Sequence, residues 1–134
     1  MRVEEKRVAD VMSRTLFTVS ERASVTEIVE TMLNNRISAV IVVADNGEFL
    51  GIISKTDLLS GLKKYGKELL EKSAEDLLCP KPYTIEGSAT LREAAQKMFA
   101  HKVHRLLVVS PSSIGKFMPV GIITASDLLR ELAF

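Results

Sequence analysis

This chain has little of what catalysis, metal binding or membrane insertion requires. It has one cysteine, Cys79, which excludes an internal disulfide and any cysteine-rich zinc site. A lone cysteine fits a reducing, cytoplasmic setting. Cys79 precedes Pro80 and has no evident base partner, so it reads as a buried or spare thiol rather than a nucleophile. The two histidines, His101 and His104, have no third ligand type near them in sequence, and no metal site is expected. Net charge is +1, with basic and acidic residues interspersed, so no global field draws the chain to nucleic acid or to a membrane surface. No apolar run approaches the ~20 residues that span a bilayer. Residues Met1 to Asp10 lack the apolar core of a signal peptide. No Gly-x-Ser-x-Gly elbow is present. Ser112-Ser113-Ile114-Gly115-Lys116 lacks the first glycine of a phosphate loop and the Ser/Thr after its lysine, and reads as a variable hairpin loop. No catalytic constellation remains, and an enzyme is not expected. A soluble globular domain of ordinary polarity is.

What the chain does have is repetition. Gly51-Ile52-Ile53-Ser54-Lys55-Thr56-Asp57-Leu58-Leu59 returns as Gly121-Ile122-Ile123-Thr124-Ala125-Ser126-Asp127-Leu128-Leu129. Ser24-Val25-Thr26-Glu27 returns as Thr90-Leu91-Arg92-Glu93. The offset is 66 residues through most of the unit and 70 at its end, the difference being an insertion between Ser110 and Pro119. A repeat of this length is a supersecondary unit. Each copy predicts β-α-β-β-α. Ser24 with Glu27, and Thr90 with Glu93, have capping-box spacing. Val25, Ile28, Val29, Met32 and Leu33 take the spacing of a buried helical face, as do Leu91, Ala94, Ala95, Met98 and Phe99. The apolar run Ala39 to Ala44 predicts a strand covered on both sides, turned by Asp45-Asn46-Gly47 into the strand Phe49 to Ile53. The second copy predicts strands over Val103–Val109 and Val120–Ile123. The organisation expected is an extension at 1–7, repeat one at 8–60, a charged linker at 61–73 and repeat two at 74–134. The linker reads as a continuation of the helix begun near Leu58, the alternative being a hinge at Gly61 or Gly66.

The doubled unit, its strand pair and the Gly-Ile-Ile-Ser/Thr-x-Ser/Thr-Asp-Leu-Leu ending resemble the cystathionine beta-synthase (CBS) domain, in tandem as a Bateman module. The resemblance covers roughly residues 8 to 132. It implies an α/β (α+β) fold of two repeats related by a pseudo-twofold axis, with clefts between them that bind AMP, ADP, ATP or S-adenosylmethionine. It also implies regulation rather than catalysis, no required cofactor, and frequent dimerisation. With no effector domain in view, action on a separate effector protein is expected.

Candidate site residues divide by chemistry. Ser54, Thr56 and Asp57, and their counterparts Thr124, Ser126 and Asp127, sit where a strand gives way to a helix. Unpaired amides and the positive end of the dipole favour oxygen-rich ligands there. The hydroxyls can contact a ligand, and each carboxylate suits a ribose diol but would repel phosphate. The alternative is that these residues are helix N-caps, which favour the same residue types; the two roles can coexist. Lys102, His104 and Arg105 are candidate phosphate contacts, with Arg105 offering a planar fork. In nucleotide-binding CBS domains a His-Arg pair at this position points toward phosphates, and His104-Arg105 matches it. The first repeat has Arg36, Ser38 and Ala39 instead, so one strong and one weak cleft is expected. Thr18, Ile37, Ile53, Thr84, Val103 and Ile123 are candidates for an adenine wall, with plain core the competing role of the apolar ones. Leu58, Leu59 and Leu62, with Leu128, Leu129, Leu132 and Phe134, form apolar stripes on which a homodimer is expected to pack. A scaffold that acts without ligand is the alternative function.

Overall fold

The computed structural model describes residues 2–111 and 117–133. The hairpin loop expected at Ser112–Lys116 and the stripe residue Phe134 lie outside the described residues. Each repeat forms the predicted series. In the first, β1 (Thr18–Ser20), α2 (Val25–Asn35), β2 (Ala39–Val43), β3 (Phe49–Ser54) and α3 (Lys55–Tyr65) follow a short leading helix, α1 (Val8–Val11). In the second, β4 (Thr84–Glu86), α5 (Leu91–His101), β5 (Arg105–Pro111), β6 (Phe117–Thr124) and α6 (Ala125–Leu132) follow the short α4 (Ala74–Leu77). The mixed α/β class is as expected. Each repeat contributes one three-stranded sheet, ordered β1-β2-β3 or β4-β5-β6, with a parallel first pair and an antiparallel second.

Local sequence explains the boundaries. Ser24 caps α2 by accepting from the Glu27 amide at 3.1 Å, and Thr90 caps α5 by accepting from Glu93 at 3.1 Å. Both helices end on a left-handed residue, Arg36 (φ 53°) and Lys102 (φ 54°). Gly47, at φ 85°, makes the turn into β3. The second hairpin is longer than expected: Ser110 pairs with Met118 and Pro111 with Phe117, so most of the insertion extends the ladder. The linker is helical in two pieces rather than one. α3 stops at Tyr65, Gly66 takes φ 56°, and a 3-10 turn follows over Gly66–Glu71.

The chain divides into two compact units, Phe17–Pro82 and Met1–Leu16 with Tyr83–Phe134. Each therefore joins the sheet and helices of one repeat to the leading segment of the other. In the first unit Ala74 is fully buried with Val19, Ile28, Met32, Val40, Val42 and Ile53. In the second Val8 is fully buried with Ile85, Leu91, Met98, Leu106, Val108 and Ile123. The hydrogen bonds repeat in step. The Ala74 amide donates to the Ala23 carbonyl at 2.9 Å, and the Val8 amide to the Ala89 carbonyl at 2.8 Å. Ile52 and Cys79 exchange backbone bonds, as do Ile122 and Ser13.

Candidate functional site

The strand period decides which side chains a ligand can meet. Val19, Val40, Val42 and Ile53 point to the core beneath α2, so their neighbours point the other way. Register then builds a row on that second face. Thr18 stands beside Ile41, Ile41 opposite Ile52, and Ala39 opposite Ser54. The other unit has the same row as Thr84, Leu107 and Ile122, with Arg105 opposite Thr124. Directly opposed residues have Cβ atoms about 4.5–5.5 Å apart. Arg105 and Thr124 are thus neighbours on one face, at the mouth of α6.

Two adenine-wall expectations are corrected by this register. Ile53 and Ile123 are 0% exposed and belong to the cores, so they have no surface to offer a ring. Ile52 and Ile122, one position earlier, share the face of Ser54 and Thr124. Ile52 is only 6% exposed, and its row neighbours Ile41 and Leu107 are 3% and 1% exposed, so most of that row is covered as well and only Ile122 is half-buried. Ile37 and Val103 are half-buried and pack against the cores. Thr18 is exposed and Thr84 half-buried on the outer row. Thr84 also lines a pocket of about 350 Å³ with Glu86, Ala89, Glu93 and Lys97, and its carbonyl accepts from the Lys97 ammonium. Lys97 lay outside the sequence expectation. Its counterpart is Thr31, so no repeated motif signals it.

At the start of α3 and α6 the capping role is fully built. Asp57 Oδ2 accepts from the Ser54 amide at 2.7 Å and the Ser54 hydroxyl at 2.9 Å, while the Asp57 amide donates to Ser54 Oγ at 3.2 Å. Asp127 Oδ2 accepts from the Thr124 amide at 2.9 Å, and the Asp127 amide donates back to Thr124 Oγ1 at 3.1 Å. The first amide of each helix is also used: Lys55 donates to Ser38 at 3.0 Å and Ala125 to His104 at 2.8 Å. Among the described residues, this leaves the Thr56 and Ser126 amides as the unpaired donors of each first turn. Both residues are exposed, so their hydroxyls are open to a ligand. Each helix start offers an oxygen-rich ligand one amide and one exposed hydroxyl. Among the described residues Asp57 keeps an unpartnered carboxylate oxygen, whereas Asp127 Oδ1 is bonded to the Arg130 guanidinium.

The cation candidates do not share one position. Arg105 is half-buried on the outer row, and His104 is exposed just before it. Lys102 is the exposed left-handed cap of α5, two residues short of His104, and is not on the strand. Ser38 and Ala39 hold the corresponding places in the first repeat. The chemical asymmetry expected between the copies is therefore present in the register: Arg105 stands opposite Thr124 where Ala39 stands opposite Ser54.

Comparison with known proteins agrees with this architecture. The CBS domain family profile matches residues 8–64 and 74–134. The chain is similar to an uncharacterized protein, MK0525, of Methanopyrus kandleri, at 30% identity over 92% of this chain and 61% of that protein. It spans less than two thirds of the curated relatives it matches. A structure of a conserved protein from Pyrococcus horikoshii aligns with a TM-score of 0.84 at 24% identity, covering 98% of this chain and 95% of that one. A structure of CBSX2 in complex with AMP aligns with a TM-score of 0.74 at 28% identity, covering 95% of this chain and 96% of that one.

Proposed function

This chain belongs to the CBS domain family as a tandem pair, and on that premise we propose that it is a regulatory sensor of an adenosine-containing ligand. The observation that carries this reading is the edge of the second sheet. Arg105 stands opposite Thr124 at one strand-to-helix junction, and the hydroxyl-and-carboxylate pair of that junction, Thr124 with Asp127, is repeated as Ser54 with Asp57 in the first repeat. Cation, hydroxyl and carboxylate are the groups that a phosphate, a polar linker and a ribose diol require. The AMP bound by CBSX2 supports the same ligand class. AMP, ADP, ATP and S-adenosylmethionine share the adenosine part. Arg105 favours the phosphorylated members, with His104 as a second donor and Lys102 within a short reach of chain. Occupancy shifts the population of the protein's conformations, which a separate effector protein in the cytoplasm reads.

Calorimetric titration tests this. AMP or another adenosine compound is expected to bind the wild-type chain. Arg105→Ala is expected to weaken AMP about tenfold, as the loss of a charge-assisted contact would, and to spare adenosine. If no adenosine compound binds, the sensor reading fails. If Arg105→Ala leaves AMP untouched, the phosphate assignment fails.

The helix faces favour a homodimer as the working form. Leu59 and Leu62 on α3 are 67% and 55% exposed, and Leu129 and Leu132 at the matching places on α6 are 63% and 69% exposed. Leu58 and Leu128 turn inward to the cores. Each repeat thus exposes its own pair of leucines on its last helix, an apolar face that a second copy would cover. Sedimentation at micromolar concentration is expected to give a dimer that Leu129→Glu dissociates; a wild-type monomer would sink the idea. A dimer that forms but binds no adenosine compound would favour the ligand-independent scaffold.

A further inference from the structure

The two aspartates that cap α3 and α6 look equivalent in sequence, yet they differ in the oxygen a ligand would use. In both, Oδ2 is committed to the cap. In the second repeat Oδ1 is taken as well, by the Arg130 guanidinium one turn along α6. The Asp127 side chain is 11% exposed, and the exposed arginine lies over its remaining oxygen. In the first repeat the place of Arg130 is held by Ser60, at the 70-residue offset. Asp57 Oδ1 has no partner among the described residues. Asp57 is half-buried rather than buried, and it lines a pocket of about 150 Å³ with Ser60, Lys64, Tyr65 and Asp76.

We propose that Arg130 is a specificity-determining residue: it occupies the ribose-type carboxylate of the second repeat, so that Asp57 is the open acceptor for a diol. A diol needs acceptor capacity: at Asp127 the guanidinium covers the oxygen that the cap leaves over and takes up part of that capacity, whereas both lone pairs of Asp57 Oδ1 are open among the described residues. The guanidinium is exposed, so displacing it costs a modest factor rather than barring the site. The second repeat thus offers the phosphate group Arg105 together with a restrained diol acceptor. The first offers an open diol acceptor without the arginine. The inference rests on the adenosine-sensor reading and separates the two ends by substrate part.

Adenosine and 2′-deoxyadenosine, titrated calorimetrically, test it without the phosphate term. Asp57→Asn, which keeps a capping oxygen, is expected to weaken adenosine about tenfold, while Asp127→Asn changes it less than about twofold. Arg130→Ser copies the first repeat and is expected to tighten the weaker binding event about fivefold. The double variant Asp57→Asn/Arg130→Ser should retain that recovered event. 2′-Deoxyadenosine, which keeps only the 3′-hydroxyl of the diol, should lose less than adenosine on Asp57→Asn. Thermal unfolding of each variant checks that the caps hold. Equal losses in Asp57→Asn and Asp127→Asn overturn the inference, as does an unchanged titration in Arg130→Ser. Loss of AMP with adenosine spared in Arg130→Ser also overturns it, by making Arg130 a phosphate contact. No binding of any adenosine compound by the wild type overturns the sensor reading together with this one, whereas binding through equivalent aspartates overturns this one alone.

Discussion

Gly51 and Gly121 open the repeated phrase for a steric reason. A Cβ at Gly51 would lie 2.4 Å from the Cys79 carbonyl oxygen and 2.9 Å from Leu78 Cδ1. At Gly121 it would lie 2.6 Å from Met12 Sδ and 2.7 Å from the Ser13 carbonyl oxygen. In each case the leading segment of one repeat lies against the last strand of the other, backbone to backbone. A carbonyl held by the Ile52–Cys79 exchange of hydrogen bonds cannot retreat without breaking that exchange. Gly51→Ala is therefore expected to cost about 1–3 kcal/mol, the range of overpacking in a tight site. Gly47 differs, since nothing lies within 4 Å of its would-be Cβ and its requirement is the positive φ alone. Urea unfolding of Gly51→Ala measures the cost; a change below about 0.5 kcal/mol, typical of a surface substitution, would contradict this geometry.

At the scale of elements, what was legible in the sequence depended on how local the signal was. The caps at Ser24, Thr90, Ser54 and Thr124 are short-range hydrogen bonds between residues three apart, and all four are formed. The reciprocal bond of a capping box, however, is made at Ser54 and Thr124 and not at Ser24 and Thr90, where the spacing points to it. The helical stripes were legible in period but read too wide. Val25, Ile28 and Met32 are buried, whereas Leu33 is 67% exposed, and its counterpart Phe99 is 88% exposed. A helix lying on one sheet buries a narrow arc, and spacing alone does not mark where that arc ends. In the strands the limit was the continuous apolar run. Ile52 and Ile53 are chemically the same, so only the pairing with β2 reveals which one faces the core. That ambiguity misplaced Ile53 and Ile123 in the ligand wall. The Asp127–Arg130 pair was likewise hidden, because the duplication draws attention to what the copies share, and Arg130 is where they differ.

Across the whole molecule, the repetition told which residues are alike but not which copy each one packs with. Val8 and Ala74 occupy matching places, and each is fully buried in the core built mainly by the other repeat. The exchange makes a prediction that sequence periodicity would reverse. Val8→Ala removes two methyl groups from the cluster containing Leu106, Val108 and Ile123. At ~0.8 kcal/mol for each carbon, with a further term for the cavity, the loss is about 2 kcal/mol. Native-state hydrogen exchange reads where that loss falls, because amides report the stability of the unit that protects them. The amides of Leu106 to Val108 on β5 are expected to lose protection, and those of Val40 to Val42 on β2 to lose far less. If protection instead falls on β2, in the same repeat as Val8, then the leading segments belong to their own repeats and the exchange is wrong. A uniform loss in both sheets would mean that the two cores open as one cooperative body, and the exchange would carry no separable energy. The selective pattern is the one expected if each sheet is completed by the segment that opens the other repeat.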